Sequence, residues 1–171
     1  AMFMGLVGSE MCIRDRVYQY DLSTAWDVST ISFSTKYDVS DENQLRSLTF
    51  KPDGSRMYVT GNENEKIKEY SLSTPWDITT SNVTHVRDSV ALTSTDNNPR
   101  NIQFSKEGTE FYYAGNGSNN MHKFTLSTAW DVSTLSSSAT TFDLGDDRID
   151  NMRGFIFTSS FSRLYVTNDN G

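Results

Sequence analysis

The sequence predicts an all-β chain of three tandem four-stranded repeats, and three observations carry that expectation. First, the stretch Leu22 to Thr30 reads Leu-Ser-Thr-Ala-Trp-Asp-Val-Ser-Thr. It returns from Leu72 to Thr80 with Pro75, Ile78 and Thr79 substituted, and unchanged from Leu126 to Thr134. Trp26, Trp76 and Trp130 therefore stand 50 and 54 residues apart, a period that marks a repeat architecture. Second, the segments between these copies alternate apolar and polar residues over strand-like lengths. Third, turn-forming residues separate those segments, and no stretch carries a helical period.

Within each period the same parts recur in order. A strand ends at the Leu of the Trp stretch: Val17 to Leu22, Ile67 to Leu72 and Met121 to Leu126, with Tyr20, Tyr70 or Phe124 two residues before that Leu. After the Trp turn comes a more variable extended stretch, 31–39, 83–90 and 139–144. A hairpin follows. Its first strands are Leu45 to Phe50, Pro99 to Phe104 and Met152 to Phe157, and its return strands are Arg56 to Thr60, Glu110 to Ala114 and Arg163 to Thr167. The turns Lys51-Pro52-Asp53-Gly54 and Ser105-Lys106-Glu107-Gly108 suit a tight reversal, because glycine supplies a positive φ. The third copy has Phe161 in that place, which predicts a different turn geometry. Strict alternation puts Arg46, Leu48 and Phe50 on one face, with Ser47 and Thr49 opposite.

Four short strands per period is the pattern of a β-propeller blade. With the hairpin as strands a and b, the aromatic strand as c and the variable one as d, the chain runs c-d, a-b-c-d, a-b-c-d, a-b. That is three blade equivalents over residues 17–171. Closed propellers hold 4–8 blades, so both ends expose apolar faces. The expectation is self-association through those faces, with two copies closing as a six-bladed homodimer, or else membership of a larger ring.

Residues 1–16 stand outside the repeat and are expected to be a non-native or disordered leader. Leu6 to Arg16 resembles a translated sequencing-library adapter, which implies a fragment of a longer environmental bacterial or phage protein. The one cysteine, Cys12, permits no internal disulfide. A net charge of −7 disfavours nucleic acid and anionic membranes as partners. No apolar run approaches the ~20 residues of a membrane span.

The hairpin ending Arg163-Leu164-Tyr165-Val166-Thr167-Asn168 resembles the repeat of YVTN-type β-propellers, and Phe50 to Gly61 is similar over a whole hairpin. That resemblance implies a fold. Its members range over surface-layer proteins, cytochrome-like and lactonase-like enzymes and plain binding scaffolds, so it implies little chemistry.

Four groups of residues are candidates for function. Arg46, Arg100 and Arg153 recur at the start of strand a, which lines the channel of a propeller. They read either as a ring gripping an anion or as partners of the acids just upstream. Asp146, Asp147 and Asp150 are the densest oxygen-ligand cluster and the candidates for calcium, without a full calcium-loop spacing. The loops from Gly61 to Glu65 and from Gly115 to Asn120 offer polar groups to a glycan or protein ligand, or are solvated tips. Trp26, Trp76 and Trp130 are expected to pack between blades while the adjacent Ser, Thr and Asp close the turn. No catalytic constellation stands out. The main reading is a non-catalytic binding or structural module, suited to a cell surface, secretion or a virion. The alternative is a lactonase-like or other hydrolase propeller with catalytic loops in further blades.

Overall fold

The computed structural model describes residues 16–39, 42, 44–62, 65–92, 99–115, 120–144 and 152–168. The leader up to residue 15 and Asp146, Asp147 and Asp150 lie outside the described residues. The strands are β1 (Arg16–Leu22), β2 (Ile31–Asp38), β3 (Leu45–Phe50), β4 (Arg56–Gly61), β5 (Ile67–Leu72) and β6 (Val83–Asp88). They continue as β7 (Pro99–Phe104), β8 (Glu110–Gly115), β9 (Asn120–Thr125), β10 (Thr140–Asp143), β11 (Met152–Phe157) and β12 (Leu164–Asn168). β1 begins at Arg16, one residue inside the stretch expected to be leader.

Two complete antiparallel sheets, β3-β4-β5-β6 and β7-β8-β9-β10, stand between two half sheets, β1-β2 and β11-β12. The order c-d, a-b-c-d, a-b-c-d, a-b is thus observed, as blades of an open propeller fragment. Strands β3, β7 and β11 lie side by side along the inner edge. Among the described residues no helix is long and apolar enough to cross a membrane.

The corner between c and d is the most regular local feature. Asp27, Asp77 and Asp131 each donate a backbone N–H to the carbonyl of Thr24, Thr74 and Thr128. The Trp before each Asp takes φ of 65–67°. Pro75, with its ring-fixed φ, fills the position before Trp76, as suits a type II turn with tryptophan where glycine is usual. The Asp side chain then accepts from the backbone two residues on: Ser29 N at 3.0 Å, Thr79 N at 2.8 Å and Ser133 N at 3.0 Å. Short 3-10 turns follow at Val28–Thr30, Thr80–Asn82 and Val132–Thr134, which the strand pattern did not foresee.

The second and third tryptophans are also tied to the hairpin of their own blade. Trp76 N–H donates to Gly54 O at 3.0 Å and Trp130 N–H to Gly108 O at 2.9 Å. Each indole lies so close over its glycine that an added Cβ would overlap it. Trp76 also meets Phe50 (5.3 Å between ring centroids) and Trp130 meets Phe104 (5.1 Å). Trp130 alone is wedged between blades as expected: it faces Tyr58 of the preceding blade at 6.4 Å, and its carbonyl accepts from the Tyr58 hydroxyl at 2.8 Å. Trp76 is 52% exposed and Trp26 98% exposed. The expectation of inter-blade packing fails for Trp26, because among the described residues neither a preceding blade nor a hairpin turn meets its indole.

Phe161 corrects a second expectation. It adopts φ 54° and donates to Thr158 O at 2.8 Å, just as Gly54 donates to Lys51 O (2.8 Å) and Gly108 to Ser105 O (3.0 Å). The third turn keeps the geometry of the other two. The left-handed conformation costs an L residue about 1–2 kcal/mol. The Phe161 ring stacks on Phe157 (5.5 Å), where the other blades place their tryptophans on Phe50 and Phe104.

The core lies between sheets. Tyr58 packs on Phe104 (4.6 Å) and Tyr112 on Phe157 (4.8 Å), the same pair one blade apart. Gln19 accepts from Ile78 N at 3.0 Å, and Glu69 at the equivalent position accepts from Val132 N at 3.2 Å. Burial pushes the Glu69 carboxyl up, with the Val132 N–H, Arg56 and Arg87 opposing it.

Candidate functional site

The inner-strand arginines occupy a conformation the alternation did not anticipate. Pairing passes from Leu45↔Gly61 to Ser47↔Thr60, from Pro99↔Gly115 to Asn101↔Ala114, and from Met152↔Asn168 to Gly154↔Thr167. Arg46, Arg100 and Arg153 are each the extra residue of a β-bulge. A bulge interrupts the two-residue period and re-aims its side chain. The expectation that Arg46 shares a face with Leu48 and Phe50 therefore fails at the bulge.

The residue after each of the first two bulges ties neighbouring inner strands together. Ser47 Oγ accepts from Ile102 N at 3.2 Å, and Asn101 donates to Phe155 O at 2.7 Å. Two residues further on, Gln103 accepts from Phe157 N at 3.2 Å. These bonds hold the three strand starts, and so the three arginines, at one end of the inner edge.

The three guanidiniums differ in what they meet. Arg46 donates to Asn62 Oδ1 at 3.1 Å and Gln44 Oε1 at 2.9 Å, both neutral acceptors. Asn62 is thereby a partner of the site, although the sequence placed it in a loop tip. Arg153 is exposed and engaged. Arg100 is the middle one, and its Nε is buried without a hydrogen-bond partner. Its guanidinium sits below the usual arginine value, first because burial desolvates it and then because Arg46 and Arg153 face it. A guanidinium faced by two others, with a buried donor unmet among the described residues, makes a place where an anion would be stabilised.

One of the acids just upstream, which the sequence offers as partners of the arginines, is described at this end. Glu42, four residues before Arg46, is 2% exposed, and its side chain lies against Gly61, where an added Cβ would meet Oε1 at 2.6 Å. The signal available for it was a glycine ending the return strand opposite a loop acid. Among the described residues, no group of three His, Cys, Asp or Glu is gathered as a metal site. His122 is core, stacked on Tyr113 at 5.2 Å, and its Nδ1 lies 3.1 Å from Thr141 Oγ1.

Comparison with known proteins supplies what local geometry does not. The family model described as Lactonase, 7-bladed beta-propeller matches residues 13–170. Among solved structures, a Lactobacillus plantarum protein is 22% identical with a TM-score of 0.62, over 91% of this chain and 42% of that one. A Bacteroides fragilis protein, provisionally named a 6-phosphogluconolactonase, is 16% identical with a TM-score of 0.61, over 90% and 42%. The periplasmic gluconolactonase of Pseudomonas aeruginosa is 12% identical with a TM-score of 0.53, over 77% and 35%. At these identities the likeness is one of fold. The chain spans about two fifths of the length of the first two structures. No curated protein matches it.

Proposed function

The chain belongs to the seven-bladed lactonase propeller family, and on that premise we propose that it forms part of a propeller that hydrolyses an anionic sugar lactone. Arg46, Arg100 and Arg153 are the anion-holding side of its channel. The observation that carries this reading is the buried, unpaired Nε of Arg100 between two further guanidiniums. The names of two related structures, one for a phosphorylated and one for a plain gluconolactone, suggest the substrate class. Of the two sequence readings, family membership favours the lactonase-like one over the non-catalytic module.

The chemistry fits the residue types. Hydrolysis adds water across the ring ester, so the carbonyl becomes a carboxylate, the ring oxygen leaves as a hydroxyl, and one proton is released. Negative charge builds on the carbonyl oxygen in the transition state, and preorganised donors lower its energy. Guanidiniums also bind carboxylate and phosphate through paired N–H donors. These arginines can serve either need, and Asn62 and Gln44 fix the direction of Arg46.

The test is binding of 6-phosphogluconate, the hydroxy-acid form of the phosphorylated lactone, to the intact chain by calorimetry. Binding is expected, weaker or absent for gluconate, and at least about tenfold weaker in Arg100→Gln, the loss of one charge-assisted contact. Equal affinity for the two acids, or binding unaffected by Arg100→Gln, refutes the arginine assignment. Proton release from the two lactones then tests turnover in a chain carrying the remaining blades.

A further inference from the structure

We propose that Gln44 and Asn62 are positioning residues that hold Arg46 through neutral oxygens only, so that the arginine group keeps its positive charge for a phosphoryl dianion. This role rests on the anion-holding function proposed for the arginines and gives it selectivity.

Three hydrogen bonds close a ring. Arg46 Nε donates to Asn62 Oδ1 at 3.1 Å, Arg46 Nη2 donates to Gln44 Oε1 at 2.9 Å, and Asn62 Nδ2 donates to the same Gln44 oxygen at 3.2 Å. A guanidinium only donates, so each amide must turn its oxygen to it, and the third bond fixes the sense of the Asn62 amide. Nε and Nη2 form one edge of the planar fork. With that edge occupied, the paired donors of Nη1 and Nη2 at its end are left for a ligand, the arrangement that binds phosphate through two parallel N–H groups.

Other arginines of the chain are held differently. Arg16 pairs with Asp38, Arg56 with Glu69 and Arg87 with Asp131, each a carboxylate. Arg46 is exposed, and among the described residues its printed partners are the two amides alone. Glu42, two residues before Gln44, is buried against Gly61. Gln44 also takes φ 58°, a left-handed conformation uncommon for any residue but glycine, and such outliers gather at functional sites. The conformation is kept at a residue whose side chain accepts two of the three ring bonds.

Charge is what the amides protect. A carboxylate in place of the Gln44 amide could accept both bonds that Gln44 accepts, and would hold Arg46 at least as firmly, because charge-assisted bonds are the stronger ones. It would also cancel one positive charge of a group in which Arg46 and Arg153 both act on Arg100. A dianion loses more by that than a monoanion, since its attraction to the group scales with its charge. At neutral pH a phosphate monoester is largely a dianion, its second ionisation lying at about 6, whereas a carboxylate carries one charge. Holding Arg46 by amides therefore favours a phosphorylated sugar acid or lactone over the plain one.

The experiment separates charge from position in the intact chain. Calorimetry measures 6-phosphogluconate and gluconate binding to the parent and to Gln44→Glu. NMR follows exchange of the Arg46 Nε–H with water, the signal being assigned by its loss in Arg46→Lys. Gln44→Glu is expected to bind 6-phosphogluconate at least about tenfold more weakly than the parent, the loss of one charge-assisted contact. Its Arg46 Nε–H is expected to exchange no faster than in the parent. Asn62→Ala, which opens the ring, is expected to speed that exchange several-fold. Undiminished 6-phosphogluconate binding in Gln44→Glu overturns the proposal alone, since a fixed direction would then suffice. Weaker binding with faster exchange in Gln44→Glu also overturns it, the loss then being one of position. So does exchange in the parent as fast as in Asn62→Ala, which leaves Arg46 unheld. A parent that binds neither acid, or both equally, overturns the anion-holding function of the arginines and this role with it.

Discussion

Replacing tryptophan by glycine should have opposite effects at the first and third c–d corners. Trp26 and Trp130 share φ near +66° and the same backbone bond from the Asp N–H to the Thr carbonyl. Relief of the left-handed conformation is worth about 1–2 kcal/mol at either site, and glycine's greater freedom in the unfolded chain returns about 0.5–1 kcal/mol of it. At Trp26 little else changes, since the indole is 98% exposed, so Trp26→Gly should stabilise by about 0.5–1 kcal/mol. At Trp130 the indole covers Gly108 and meets Phe104 and Tyr58. Removing a buried aromatic costs about 3–5 kcal/mol, and this half-buried one falls at the lower end. Net destabilisation there should be about 2 kcal/mol. Urea unfolding followed by far-UV circular dichroism separates the two, being indifferent to the loss of a fluorophore. A change of the same sign at both positions refutes the argument that packing on the hairpin glycine offsets the left-handed strain at Trp130.

Other outcomes follow from the same contacts. Gly108→Ala should destabilise by at least about 2 kcal/mol in urea titration, from the left-handed strain plus the displaced Trp130 ring; a change under 0.5 kcal/mol would show that the indole moves aside at no cost. Arg100→Met should hold or raise stability, by up to about 1 kcal/mol, because it removes an unmet buried donor and a cation facing two others. The same variant should lose 6-phosphogluconate binding, and a stability loss above 1 kcal/mol would mean that Arg100 has a structural partner. Asp27 is held below the usual carboxylate range by Ser29, Asp53 by Lys51 and Ser55, and Asp77 by Thr79. Groups so lowered contribute stability above their ordinary value near 4 and lose it as pH falls through the folded values, so the urea midpoint should drop below about pH 4. Glu69 has the opposite sign: its raised carboxyl contributes below the ordinary glutamate value and loses that contribution as pH rises through the folded one. Glu69→Gln should therefore abolish any gain in midpoint between pH 7 and 5, and a gain that survives the substitution assigns it elsewhere.

The strand order was legible because period-2 alternation and a repeated nine-residue corner act on every blade alike. The inner strands fall where the sequence puts them, at Leu45–Phe50, Pro99–Phe104 and Met152–Phe157. What could not be read were features made by contact across the repeat. The bulge at each arginine lies in the pairing of the inner strand with its own return strand, and no residue type announces it. The turn at Phe161 was misjudged because a positive φ argues for glycine locally, whereas stacking on Phe157 offsets the strain. Trp26 was misjudged for the converse reason: its sequence matches Trp130, but no partner meets its indole among the described residues. The arginines were found as candidates by recurrence. What separates Arg100 from its two counterparts is burial, which recurrence hides.

The same positions show why the blades, though repeated, are not interchangeable. Arg56 donates to Glu69 at 2.8 Å, and one blade later Lys123 donates to Glu110 at 3.0 Å. The acid and base have exchanged strands between β4–β5 and β8–β9. Within a blade the swap is neutral, since each pair remains paired. Between blades it is not, because the c-strand member also faces the corner of the following blade. Glu69 can accept from Val132 N while holding Arg56; Lys123 can hold Glu110 but has no lone pair to offer a corner N–H. In the blade that follows, the turn position is held by Phe161, stacked on Phe157, so the two positions that matter at the β5 interface, a c-strand carboxylate and a turn glycine, are both altered beyond β9.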